Sequence, residues 1–156
     1  LTEWEELPEL CRGSGGHILL ELPFEPWTDQ LINQLYELPG RTGLIPIIAH
    51  IERYLRHQKS RHIEAVLALG APVQVSAEPL LHPLRRGAIL KLLRERKAQL
   101  LASDAHSPDM RPPNLGAAME VVRRRLGDEK ADSLAAWSDA VFPHQPETLP
   151  RDPVHI

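Results

Sequence analysis

The sequence predicts an α/β fold of about four parallel strands joined by crossover helices. Two observations carry that expectation: short, almost continuously apolar runs alternate with amphipathic stretches between residues 18 and 122, and chemistry-bearing residues fall where the runs end. The runs are Ile18-Leu19-Leu20-Glu21-Leu22, Leu44-Ile45-Pro46-Ile47-Ile48-Ala49-His50, Pro72-Val73-Gln74-Val75-Ser76 and Leu100-Leu101-Ala102-Ser103-Asp104. Such runs suit strands buried on both faces of a parallel sheet. Pro46 lacks a ladder donor and weakens the second, so it is expected near that strand's start.

The intervening stretches follow a helical period. Leu31, Leu35 and Leu38 share a face, and Pro39-Gly40 reads as the stop. Ile63, Val66 and Leu67 form a second stripe, closed by Gly70 at a C-cap position. Ile89, Leu92 and Leu93 form a third, with Arg94, Arg96 and Lys97 suited to the negative end of the helix dipole. Leu115, Ala118, Met119 and Val122 form a fourth, and a last helix is expected at about 128–137. A closed parallel barrel needs roughly eight strands. The sheet is therefore open, or further strands lie upstream of Leu1, which is not an initiator methionine. Unpaired edges invite another chain, so an oligomer or a missing N-terminal segment is expected. Residues 1–137 are read as the α/β unit and 138–156 as a proline-rich arm with little apolar content.

Bulk composition narrows the function. The chain has 156 residues, 18 basic and 21 acidic, for a formal net charge of -3. That balance argues against wrapping nucleic acid or lying on an anionic membrane. No apolar run approaches the roughly 20 residues of a membrane helix, so no membrane insertion is expected. Cys11 is the single cysteine, which excludes an intrachain disulfide and points to a reducing, cytoplasmic setting.

Glu21, His50, Asp104 and, two residues on, His106 stand at the ends of successive apolar runs. The carboxyl edge of a parallel sheet is where function collects, so these four are candidate metal ligands. Two carboxylates and two imidazoles suit Mn²⁺, Fe or Zn²⁺. Taken singly, each has an ordinary structural reading: an edge charge for Glu21, a core histidine or helix cap for His50, an N-cap and turn for Asp104-Ala105-His106. Their shared position at one sheet edge is what favours ligation. His17, His57, His62, His82, His144 and His155 are read as solvated. Arg53, three residues after His50, and Arg111, five after His106, would grip a phosphate or carboxylate bidentately. The plainer alternative pairs Arg53 with Glu52 or Asp29 and leaves Arg111 solvating its loop.

Glu21-Leu22-Pro23-Phe24, Ile48-Ala49-His50 followed by Glu52-Arg53-Tyr54, Val73-Gln74-Val75, and Ser103-Asp104-Ala105-His106 followed by Arg111-Pro112 occur in this order. Together they resemble the C-terminal part of the PHP-superfamily phosphatases encoded with bacterial capsule and exopolysaccharide genes. That resemblance implies a distorted β/α barrel around a trinuclear site and manganese-dependent hydrolysis of phosphotyrosine on the tail of a bacterial tyrosine kinase. Other divalent metals, Fe, Zn or Mg, would fit the same donors. Carried over by residue, Glu21 would bridge metals, His50, Asp104 and His106 would ligate them, and Arg53 and Arg111 would hold the substrate phosphate. The family's upstream ligands, a His-x-His motif among them, have no counterpart after Leu1. Ile51 stands where the family usually has proline, and Ser76-Ala77-Glu78-Pro79 departs from its Asn-Ala-Gly, both read as loop changes. Two alternatives accompany this reading: a truncated, inactive relative that binds a phosphorylated tail or subunit, and a phosphoesterase acting on a small molecule such as histidinol phosphate.

Overall fold

The computed structural model describes residues 16–104 and 114–142. Each expected apolar run contains a strand: β1 (His17–Leu20), β2 (Ile45–Ile48), β3 (Gln74–Ser76) and β4 (Leu100–Ala102). β1 pairs with β2 in parallel, His17 against Ile45 and Leu20 against Ile48. β3 pairs with β4 in the same sense, Gln74 against Leu100. A lone parallel bridge, Ile48 to Val73, joins the two pairs in chain order. The mixed α/β class with parallel strands is as expected. The strands are shorter than the apolar runs, so Glu21, His50 and Asp104 stand just beyond the strands rather than inside them.

Pro46 is tolerated for a geometric reason. The N–H groups of Ile45 and Ala49 donate to Gly16 and Leu20 on the β1 side, and that of Ile48 donates to Pro72 on the β3 side. Alternation along the strand turns the nitrogen of Pro46 toward β3, where pairing begins only at Ile48. No ladder bond is lost.

Helix α1 (Asp29–Thr42) starts at Thr28, whose hydroxyl accepts the Leu31 N–H at 3.2 Å, and it buries Ile32, Leu35 and Leu38. It does not stop at Pro39-Gly40. Pro39 sits in the last turn, where its missing donor removes a single bond, and the helix ends at Gly43 in the left-handed conformation (φ 72°). Helix α2 (Ser60–Leu67) is capped by Ala68 rather than Gly70, which takes its positive φ two residues later. A short helix α3 (Glu78–Leu81), unforeseen from the sequence, follows β3 directly. Helix α4 (Arg86–Arg94) buries Ile89, Leu92 and Leu93 as expected. In α5 (Leu115–Leu126) the buried face is Ala118, Val121 and Val122, while Leu115 is exposed. Helix α6 (Asp128–Val141) runs past residue 137 because Val141 packs with Ile47 and Leu100, so the first residues of the stretch read as an arm belong to the helix.

A main core joins the elements: Ile48 and Val75 from the strands, with Val73 just ahead of β3, meet Tyr54, Val66, Leu80, Leu93 and Val122, all essentially inaccessible. His62, read as solvated, is instead buried at 3 % exposure, with Nε2 2.8 Å from Asp29 Oδ1. Arg61 reaches the same carboxylate at 3.1 Å, so α2 is tied to the first turn of α1. The hydrogen bond from His62, and next the Arg61 charge, hold the Asp29 carboxyl below its ordinary 3.8. A carboxyl depressed by folding stabilises above its unfolded value and loses that contribution as pH falls through the folded one. Asp29→Asn is therefore expected to lower the urea midpoint at neutral pH, with the gap from the parent closing below pH 3.8. A gap constant across that range would contradict the pairing.

Candidate active site

The three described candidate ligands follow three parallel strands at their carboxyl ends, and Arg53 sits in a 3₁₀ turn (Ile51–Arg53) after β2. His50 and Asp104 both adopt left-handed backbone conformations, with φ of 49° and 53°. Histidine and aspartate tolerate that region better than most residues, and such residues cluster at functional sites. The two turns bring side chains separated by 54 positions of sequence together: His50 Nε2 lies 3.6 Å from Asp104 Oδ1. Arg53 bridges the carboxylates, with Nη2 2.6 Å from Asp104 Oδ2 and Nη1 3.4 Å from Glu21 Oε1. The plainer pairing of Arg53 with Glu52 or Asp29 does not form.

The imidazole is held from behind. Ser76 Oγ lies 3.1 Å from His50 Nδ1, and the Gln74 amide nitrogen approaches the same atom at 3.5 Å. The serine hydroxyl can meet Nδ1 as donor or as acceptor, so the contact orients the ring in either tautomer. Burial, and then the Arg53 charge, push the His50 pKa down, against the opposing pull of Asp104, Glu52 and Glu21. Glu52 accepts the Ser76 N–H through Oε1 at 3.3 Å, while its Oε2 is buried without a hydrogen-bonding protein partner.

A divalent cation fits this donor set in kind. The His50 Nε2 nitrogen lies 3.6 Å from an Asp104 carboxylate oxygen, a nitrogen and an oxygen donor of the kinds such an ion takes. Among the described residues no group of three His, Cys, Asp or Glu side chains is gathered to hold a metal, so the His50–Asp104 pair is the part of a site they supply. Glu21 touches Arg53 from the outer, exposed side. His106 and Arg111 lie outside the described residues.

Tyr54 fixes the Glu21 loop to the Arg53 turn. Its hydroxyl donates to Leu22 O at 2.6 Å, and its ring packs against Phe24 and Trp27 at centroid distances of 5.4 and 5.1 Å. Gln58 adds amide bonds to Phe24 O and Glu25 O, and accepts the Trp27 N–H. A cleft of about 770 Å³ opens over the site, lined by Phe24, Arg53, Arg56, His57, Ser103 and Asp104 among others. Arg56 and His57 were not foreseen here; the cue was their position in the same short turn as Arg53. Ser76 was read as a loop change, yet it ends β3 and buttresses His50.

Residues 10–140 match the family described as capsular polysaccharide synthesis, CpsB/CapC. The chain belongs to that family. Over 102 residues it is 32% identical to the tyrosine-protein phosphatase CpsB of Streptococcus agalactiae, covering 59% of this chain and 42% of that protein. The CpsB of Streptococcus pneumoniae is 29% identical over 101 residues with the same coverage. In three dimensions the chain is similar, at a TM-score of 0.75 and 25% identity, to a crystal structure from a pair described as YwqE of Bacillus subtilis and CpsB of Streptococcus pneumoniae, "unique metal-dependent tyrosine phosphatases". That superposition covers 90% of this chain and 60% of the other. The chain thus matches less than half the length of the curated CpsB proteins. Family membership gives the resemblance read from the four motifs its confirmation. Among the described residues no helix is long and apolar enough to cross a membrane.

Proposed function

We propose that this chain is the C-terminal portion of a PHP-type β/α barrel in a metal-dependent protein-tyrosine phosphatase of capsule and exopolysaccharide biosynthesis, acting in the cytoplasm on the phosphotyrosine tail of a tyrosine kinase. The observation that carries this reading is the His50–Asp104–Arg53 constellation at the carboxyl ends of parallel strands. On this reading His50, Asp104, Glu21 and His106 would hold the metal, with Mn²⁺ as the expected ion. A bound divalent ion lowers the pKa of its water to about 7 and so supplies hydroxide at neutral pH.

The remaining roles belong to the side chains. Arg53 presents a planar fork for two phosphoryl oxygens, with Arg111 as its counterpart later in the sequence. Ser76 keeps the His50 ring oriented. Phe24 offers the cleft an exposed aromatic face against which a tyrosyl ring can pack. β1 and β4 each have one neighbour among the described strands, which favours further strands of the barrel, or a second copy, at those edges.

Calorimetric titration with Mn²⁺ tests the assignment. Binding that disappears in Asp104→Ala is expected; equal binding by the variant would remove Asp104 from the ligand set. Ser76→Ala should weaken Mn²⁺ by about tenfold, the lower range for losing a hydrogen bond behind a ligating histidine. Unchanged affinity would make Ser76 a packing residue only.

A further inference from the structure

A second cleft, of about 640 Å³, lies at the opposite end of β4 from Asp104, where the chain leaves α4, enters β4 and turns from α5 into α6. It shares no lining residue with the first cleft. Arg94, Arg96, Arg125 and Lys130 line it, with Glu129 as its only acidic residue among those described. Among the described residues none of these four cations is ion-paired. Their sequence neighbours are: Lys97 pairs with Glu95 at 2.8 Å, Arg123 with Asp128 at 2.8 Å, and Arg124 with Glu120 at 3.6 Å.

Folding alone accounts for only two of the four. Arg94 and Arg125 occupy last turns of α4 and α5, where a cation complements the helix dipole. Lys130 stands in the first turn of α6, the end at which a cation is disfavoured. Burial, and next the Arg96 charge, depress its ammonium pKa. Arg96 follows α4 in a left-handed conformation (φ 57°), the position where glycine is the usual choice, and its neighbour Lys97 closes the turn onto Leu92 O at 2.9 Å. Among the described residues the other two non-glycine residues with positive φ are His50 and Asp104. Trp137 completes the cleft wall with an indole 42% exposed.

We propose that this cleft binds a small anion of two or more phosphoryl groups bearing a flat ring, the chemistry of a nucleoside di- or triphosphate. Arg94, Arg96, Arg125 and Lys130 hold the phosphates and relieve their mutual repulsion, and Trp137 stacks on the ring. The site is separate from the phosphatase site, and neither depends on the other.

Calorimetry at low salt with inorganic pyrophosphate and with ADP tests it. Both are expected to bind one to one, ADP more tightly, and Trp137→Leu should bring ADP down to the pyrophosphate level. The double variant Arg96→Asn/Arg125→Gln should weaken both by at least about tenfold, since asparagine accepts the left-handed backbone. Lys130→Gln should weaken both without touching either position, and Arg53→Ala should leave both affinities unchanged. No binding of either probe at millimolar concentration, or binding lost with Arg53→Ala and kept in the double variant and in Lys130→Gln, would overturn the site. ADP no tighter than pyrophosphate would overturn the role of Trp137.

Discussion

Arg53→Ala is expected to lower phosphotyrosine hydrolysis by about 10³-fold, the lower range for removing a guanidinium from a phosphoryl-transfer site. The expectation follows from where the side chain is held. Its two terminal nitrogens reach Asp104 and Glu21, carboxylates on loops from opposite ends of the strand order, so the fork is positioned before any substrate arrives. Arg53→Lys restores the charge but not the fork, and should recover only a small part of the rate. Steady-state kinetics on a phosphotyrosyl peptide measures both. An alanine variant that keeps more than about a tenth of the parental kcat would take Arg53 out of the phosphate-holding role.

The second large effect is on stability. Tyr54 has no exposed surface, packs against Phe24 and Trp27, and donates to Leu22 O. Tyr54→Ala removes a whole buried ring and is expected to cost about 3–5 kcal/mol, the range for large aromatic truncations. Tyr54→Phe keeps the ring and loses the hydrogen bond, leaving Leu22 O unsatisfied, for about 1 kcal/mol. Burial raises the phenol pKa, so the hydroxyl remains a donor at neutral pH. Urea unfolding at constant slope gives both values. Equal losses for the two variants would mean that the hydrogen bond, not the ring, anchors the Glu21 loop.

The elements read most directly from the sequence were those set by apolar continuity. Ile47, Ile48 and Val75 lie in short runs that have to be buried on both faces, and each run holds a strand. Departures came where tertiary contacts overrode a local signal. Pro39-Gly40 is a stop signal, yet Leu38 is buried and Gly43 supplies a better cap three residues later. His62 carries no mark in the sequence distinguishing it from His57; its partner Asp29 is 33 residues away. The site shows the same division. The positions of Glu21, His50 and Asp104 at the ends of runs were legible because strand direction orders them along one edge. The hydrogen bond between Ser76 and His50 was not, because it depends on β3 lying beside β2, a pairing made by a single bridge. The basic cleft at the other end of β4 was read only in part: Arg94 and Arg96 were assigned to a helix dipole, and Arg125 and Lys130 join them through the α5–α6 turn.

The most direct test of a metal-dependent phosphatase site built on His50, Asp104 and Arg53 is phosphate release from a phosphotyrosyl peptide, with Mn²⁺ and with chelator, by the protein and by Asp104→Asn. The account predicts release that requires the metal and is lost in the variant. Release that persists in chelator, or is undiminished in Asp104→Asn, would contradict it.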